Sequence, residues 1–262
     1  MSILDEILND KRKEVKQKKK FIPEKFLRNR EIFLEECASL KYSLLEENAT
    51  GIIAEFKRKS PSRGWINKDI DVMDVILDYE IYGASGVSIL TDEIYFGGLV
   101  DDLIDGRLLT DLPILRKDFI IDEYQIIETK SWGADVILLI AACLTVKQVK
   151  QFSLKAHQIG LEVLLEIHNE FELGHICDSI DMVGVNNRNL KTFEINIETS
   201  FKLAEKIPEQ FVKISESGIS DVAAIHLLKQ NGFKGFLIGE AFMQTQNPGE
   251  ALGAFADEIL KK

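Results

Sequence analysis

Long apolar runs are missing from this chain: the longest, Val136 to Leu144, falls well short of the roughly 20 residues that a membrane-spanning helix requires. Cysteine is scarce, with Cys37, Cys143 and Cys177 far apart and in no CxxC pair or Cys/His cluster. Buried thiols are therefore expected, rather than a disulfide framework or a metal centre. The four histidines form no HExxH or related spacing, so no metal ligand set is read from them. His157, His175 and His226 fall in helical patterns and His168 lies beyond a strand end, so all four are expected to be structural or solvent-facing. Five prolines and no low-complexity tract leave no sign of an interdomain linker. Positive charge is also short, 32 Lys and Arg against 43 Asp and Glu for a net −11, which disfavours a nucleic-acid partner. The basic run from Lys11 to Lys20 is read as the solvated face of an amphipathic helix. No secretory signal core opens the N-terminus, so a cytoplasmic location is expected.

What the chain does have is a repeat. From residue 51 onward a short apolar run, a polar turn, an amphipathic stretch and a Gly-containing turn recur without interruption. Eight candidate strands result: Gly51 to Lys57, Gly86 to Leu90, Pro113 to Lys117, Asp135 to Ala141, Glu162 to Ile167, Met182 to Asn186, Phe211 to Glu216 and Gly235 to Ile238. Helical spacing marks the intervening segments, and the similar exits YGASGVSIL, WGADVILLI, IGLEVLLEI and NGFKGFLIG put Gly where a helix ends before a buried strand. This pattern predicts an α/β fold, a (β/α)8 TIM barrel over residues 51–262 with an N-terminal helical extension over 1–50, forming a single domain. A doubly wound sheet is the alternative, but no GxGxxG follows the first strand. The extension holds two helical patterns, the second with Pro23 in its first turn, which could cover the barrel mouth or plug its bottom.

In a parallel barrel every strand ends at the same mouth, where reactive residues gather. With inward positions alternating, Glu55 and Lys57 share a face of the first strand, as do Leu115 and Lys117 of the third. Glu166 ends the fifth, Asn186 and Arg188 leave the sixth, and Glu216 ends the seventh. One such residue alone would read as a rim ion pair; as a set they read as acid–base tools. A carboxylate such as Glu55 or Glu216 beside a lysine would keep it charged. The turns Ser217-Gly218 and Gly239-Glu240 follow the last two strands, where barrels commonly bind phosphate through backbone N–H groups. Trp65, Phe96 and Phe119 either contact a planar ligand or pack the loops.

The motifs IIAEFKRKSPSRG, SILTDEIYFGG, LPILRKDFIID, GLEVLLEIH, VGVNNRNL, SESGI and FLIGEAF, in this order, resemble the indole-3-glycerol-phosphate synthases of tryptophan biosynthesis. The resemblance implies a carboxy-lyase with no cofactor or metal. Its substrate would be a sugar phosphate carrying an anthranilate group, 1-(2-carboxyphenylamino)-1-deoxyribulose 5-phosphate, which closes a ring and loses carbon dioxide and water. By the same resemblance, Lys117 is the general acid of ring closure and Glu166 the acid–base group of dehydration. Expelling a hydroxyl as water would need Glu166 protonated, hence a raised pKa. Lys57 contacts the substrate carboxylate, and Glu55, Asn186 and Glu216 complete the polar site. Ser60, Arg188 and Ser217 orient the substrate, and Gly218 and Gly239 grip its phosphate. Glu240 stands where some members carry Ser, so its backbone is expected to matter more than its side chain, and Arg63 is read as altering loop mobility. A monomer or weak homo-oligomer is expected, with neither nucleic acid nor membrane as partner. An isomerase barrel or a non-catalytic phosphate-binding barrel would be the competing readings.

Overall fold

Strand parity divides the apolar residues into two layers. Ile53, Leu115, Leu138, Leu164, Ile214 and Leu237 pack together inside the barrel, while their neighbours Ile52, Ala54, Ile114, Ile137, Leu165 and Phe236 face the surrounding helices. Burial on both faces is what a parallel strand covered by crossover helices requires, and all five residues of the first strand are buried. In the computed structural model, which describes residues 2–261, the strands are β1 (Ile52–Phe56), β2 (Gly86–Leu90), β3 (Ile114–Lys117), β4 (Val136–Ile140), β5 (Glu162–Ile167), β6 (Met182–Asn186), β7 (Val212–Glu216) and β8 (Phe233–Ile238). They close into one parallel barrel, with β8 returning to β1 in the register Ile53 to Leu237.

Each predicted strand is present. β8 starts two residues early, at Phe233, because its ladder with β7 is irregular between Phe233 and Gly235. A small antiparallel ribbon, Lys59–Ser60 with Gly64–Trp65, follows β1. It was not foreseen: its turn is set by Gly64 at φ +70°, and no apolar alternation announces so short a pair. The three cysteines are free thiols, half-buried rather than buried. No helix among the described residues is long and apolar enough to cross a membrane.

The extension covers both ends of the barrel. Helix α1 (Ile3–Phe21) starts at a Ser2/Asp5 capping box and lays Ile3, Leu4 and Ile7 over the mouth. Helix α2 (Glu24–Arg28) follows, with Pro23 as its N-cap rather than inside its first turn. A third helix, α3 (Leu40–Leu45), was not expected; Ser39 caps it. It closes the bottom, where a Cβ added at Gly86 would lie 2.5 Å from Leu40 and one at Gly235 3.2 Å from Leu44.

The basic run also departs from expectation. Lys11 is 2% exposed, with Nζ at 2.8 Å from Glu14, 3.0 Å from Asp92 and 2.9 Å from Asp118. Burial alone would weaken its hold on a proton, but the three carboxylates outweigh burial and raise its pKa. Asp118, shifted up by burial and more strongly down by Lys11 and Arg116, ends well below the ordinary carboxylate range. A charged network therefore fastens α1 to the loops after β2 and β3.

Candidate active site

The mouth encloses a cavity of about 320 Å³ whose floor is the inner ends of the strands. Glu55, Lys117, Glu166, Asn186 and Glu216 all line it, as the alternation predicts, and Lys57 and Arg188 join them from one and two residues beyond their strands. Lys117 Nζ lies 3.1 Å from Glu166 Oε2 and 3.4 Å from Glu216 Oε2. Lys57 Nζ lies 2.5 Å from Glu55 Oε1, and Asn186 Nδ2 donates to Glu166 Oε1 at 3.1 Å. Burial works against a charge on Lys117, yet Glu166, Glu216 and Glu55 together raise its pKa, so the ammonium is held at neutral pH.

The carboxylates differ from expectation. Burial favours the neutral form of Glu166, but Lys117 and hydrogen bonds from His168 and Asn186 outweigh burial and lower its pKa. The expected raised value belongs instead to Glu216. Burial pushes it up to about 8, Glu166 and Glu55 add to the shift, and Lys117 opposes it. Two glycines make room for these groups. A Cβ at Gly184 would fall 2.2 Å from Glu216 Oε1, and one at Gly239 would fall 2.7 Å from Glu55 Oε1. Gly239→Ala should therefore displace Glu55 from Lys57 and, as overpacking does, cost about 1–3 kcal/mol in stability. Urea denaturation against the unsubstituted protein measures this cost.

His168, expected to be structural or solvent-facing, is not solvent-facing; it lies between two carboxylates. Its Nε2 lies 3.2 Å from Glu166 Oε1 and its Nδ1 3.2 Å from Glu172 Oε2. The strand parity it shares with Glu166 was the available signal, and its position beyond the strand end obscured it.

At the other end of the cavity, Ser217 has φ +66° and Gly218 φ +79°, turning the chain between β7 and the helix Val222–Gln230. Gly239 caps the short helix Glu240–Met243. The Glu240 side chain is more engaged than expected: its oxygens lie 2.8 Å from Arg63 and 3.5 Å from Arg188. Arg188 also donates to Ser62 Oγ at 3.2 Å, and Ser60 and Pro61 line the same wall. Arg63, read as a loop residue, is thus part of a clamp that draws the loop after β1 across the mouth. Phe96 and Phe119 line the cavity with ring centroids 6.1 Å apart. Trp65 does not line it; its ring supports Gly97. Leu190 and Phe193, also in the wall, were missed. Their signal is that they stand, with Ile195, as three apolar residues inside the polar stretch NNRNLKTFEIN.

The cavity combines apolar walls, charged strand ends and the Gly218 and Gly239 turns. Solved structures share the barrel at low identity. A tryptophan synthase α-subunit variant from Pyrococcus furiosus matches with TM-score 0.61 at 18% identity, over 81% of this chain and 98% of that one. The 3-hexulose-6-phosphate synthase of Salmonella typhimurium matches with TM-score 0.62 at 13% identity, over 80% and 98%. Curated relatives are far closer. The indole-3-glycerol phosphate synthase of Bacteroides thetaiotaomicron is 48% identical over 257 residues, 98% of each chain. That of Lachnospira eligens is 39% identical over 261 residues, 97% of each. The family profile described as Indole-3-glycerol phosphate synthase matches residues 4–255, and on these grounds the chain belongs to the indole-3-glycerol phosphate synthase family.

Proposed function

We propose that the charged mouth closes the indole ring of 1-(2-carboxyphenylamino)-1-deoxyribulose 5-phosphate, with Lys117 as the general acid. The observation that carries this reading is the Lys117 ammonium, 3.1 and 3.4 Å from two carboxylates on the cavity floor. A raised pKa keeps its proton in place until a more basic acceptor arrives. That acceptor is the substrate carbonyl oxygen, which gains negative charge as the ring carbon bearing the carboxylate attacks the carbonyl carbon. The new carbon–carbon bond is followed by release of carbon dioxide, whose bonding pair returns to the ring. The hydroxyl then departs as water with a proton supplied through Glu166, and the adjacent methylene carbon gives up a proton. Lys57, held by Glu55, faces the substrate carboxylate. Asn186 and Glu216 orient Glu166 and Lys117, and the apolar wall at Phe119 takes the aromatic ring. Ser217, Gly218 and Gly239 receive the phosphate with backbone N–H groups of the Gly239-Glu240 turn. Ser60 and Arg188 hold the remainder of the chain.

The purified protein should convert this substrate to a product with indole absorbance while releasing carbon dioxide in equal amount. An isomerised product without carbon dioxide would overturn the reading in favour of a sugar-phosphate isomerase. Tight binding without turnover would leave only a binding barrel.

The pH profile tests the role of Glu216. As pH rises through about 8, Glu216 ionises, and a further negative charge beside Lys117 makes the ammonium a weaker acid. Turnover should fall along an alkaline limb near that pH, and Glu216→Gln should flatten the limb. An unchanged limb in the variant would assign it to another group.

A further inference from the structure

The proton balance of the proposed reaction leaves a gap that His168 is placed to fill. This inference rests on the ring-closure reading above. The substrate enters with an ionised carboxylate and the product leaves without it, so each turnover consumes a proton. Two protons go to the carbonyl oxygen, first to make the hydroxyl and then to expel it as water, and the methylene carbon returns only one. Lys117 supplies the first. Glu166 is to deliver the second, yet it is held ionised, against its burial, by Lys117, His168 and Asn186.

We propose that the His168 imidazolium stores the proton that Glu166 hands to the departing hydroxyl. The geometry is a chain of acceptors and donors with the ring in the middle. Nε2 lies 3.2 Å from Glu166 Oε1. On the far side, Nδ1 meets Glu172 Oε2 at 3.2 Å, and Glu172 is itself fixed by the His168 backbone N–H at 2.7 Å and by Asn169 Nδ2 at 2.8 Å. Burial would discharge the ring, but its hydrogen bonds to Glu166 and Glu172 prevail and raise its pKa to about 10. The groups facing this cluster are Glu166, Glu172 and, beyond Glu166, Lys117, together with Cys143, whose thiol is pushed up to about 12 by burial and by these two glutamates. Cys143 therefore stays neutral and does not compete for the proton.

Once Lys117 has given its proton to the carbonyl oxygen, the largest influence holding Glu166 ionised is gone; in the proposed step the Nε2–H bond then breaks and an Oε1–H bond forms on Glu166. The electron pair stays on the ring nitrogen, and Nδ1–H remains bonded to Glu172. Glu166 then protonates the hydroxyl, the carbon–oxygen bond breaks and water leaves. After product departs, solvent entering the open mouth restores the proton on Nε2. His168 acts through Glu166 and is a supporting residue, not one that touches substrate.

The test is His168→Gln, whose amide keeps a hydrogen-bond donor toward Glu166 but has no proton to give. Removing this acid should lower kcat by about 100-fold with KM little changed, and added imidazolium should restore turnover in proportion to its concentration. In the unsubstituted protein, a pH indicator in a single turnover should show solvent proton uptake after indole appears. In the variant, uptake should coincide with indole formation. Native kcat in the variant, or a loss that imidazolium fails to restore in a natively folded variant, would overturn the proposal. Should that variant not fold, Glu172→Gln made in a Glu216→Gln background, where the Glu216 limb is absent, gives an independent reading, since removing one of two carboxylates from the ring should move the remaining alkaline limb of kcat toward neutral pH. An unmoved limb there would also overturn it. The ring-closure reading is judged separately, on the products formed by the unsubstituted protein.

Discussion

Replacing Lys117 with alanine is expected to lower kcat by at least about 100-fold, the scale of lost general-acid catalysis. The effect should appear in kcat more than in KM, because the ammonium matters most when the carbonyl oxygen gains charge. The same change removes the only cation among the described residues within reach of both Glu166 and Glu216 on the cavity floor, where it lies 3.1 and 3.4 Å from them. Those carboxyls should then take up protons at higher pH. Lys117→Ala therefore carries a second signature, a shift of the remaining pH profile toward alkaline values. Steady-state kinetics between pH 6 and about 9 would measure both. Near-native turnover would remove Lys117 from the role assigned to it.

The second large effect concerns stability. Lys11→Ala should cost about 3–5 kcal/mol, as when one member of a buried charged group is deleted and its partners remain without compensation. Asp92 and Asp118 lose a cation at 3.0 and 2.9 Å, and the mouth loses the fastening of α1. The pH dependence has a defined sign. Asp118 has a folded-state pKa below its ordinary 3.8, so its contribution to stability is complete above that value and is lost as pH falls through the lower, folded-state value. With Lys11 removed that depression shrinks, and denaturation curves at pH 7 and pH 3 should lie closer together than in the unsubstituted protein. A loss of under about 1 kcal/mol at pH 7 would show that α1 is held by Ile7, Leu8 and Val15 alone.

Much of the barrel and its floor is legible in the residues. Short apolar runs ending in Glu55, Lys117, Glu166, Asn186 and Glu216 fix both the strands and the face that each polar group takes, because parity along a strand is a local property. What depends on distant partners is harder to read. Lys11 is four residues from both Ile7 and Val15, so it sits on the apolar face of α1; the basic composition of the run hid that position. Arg63 and Glu240 are far apart in the chain, and their pairing exists only once β8 has closed against β1. The protonation of Glu166 was misjudged for a related reason. Burial alone points upward, but the answer depends on Lys117, His168 and Asn186 arriving from three places in the fold.

Helix α3 bears on the order in which the chain can mature. Leu40 and Leu44 leave the ribosome before every strand of the barrel, yet their docking surface includes Gly235 in β8, the last of those strands. Helix α3 can thus complete its seat only after the final strand has been made. Until then its apolar face must wait undocked, which makes seating of the bottom helix a late, long-range event in folding.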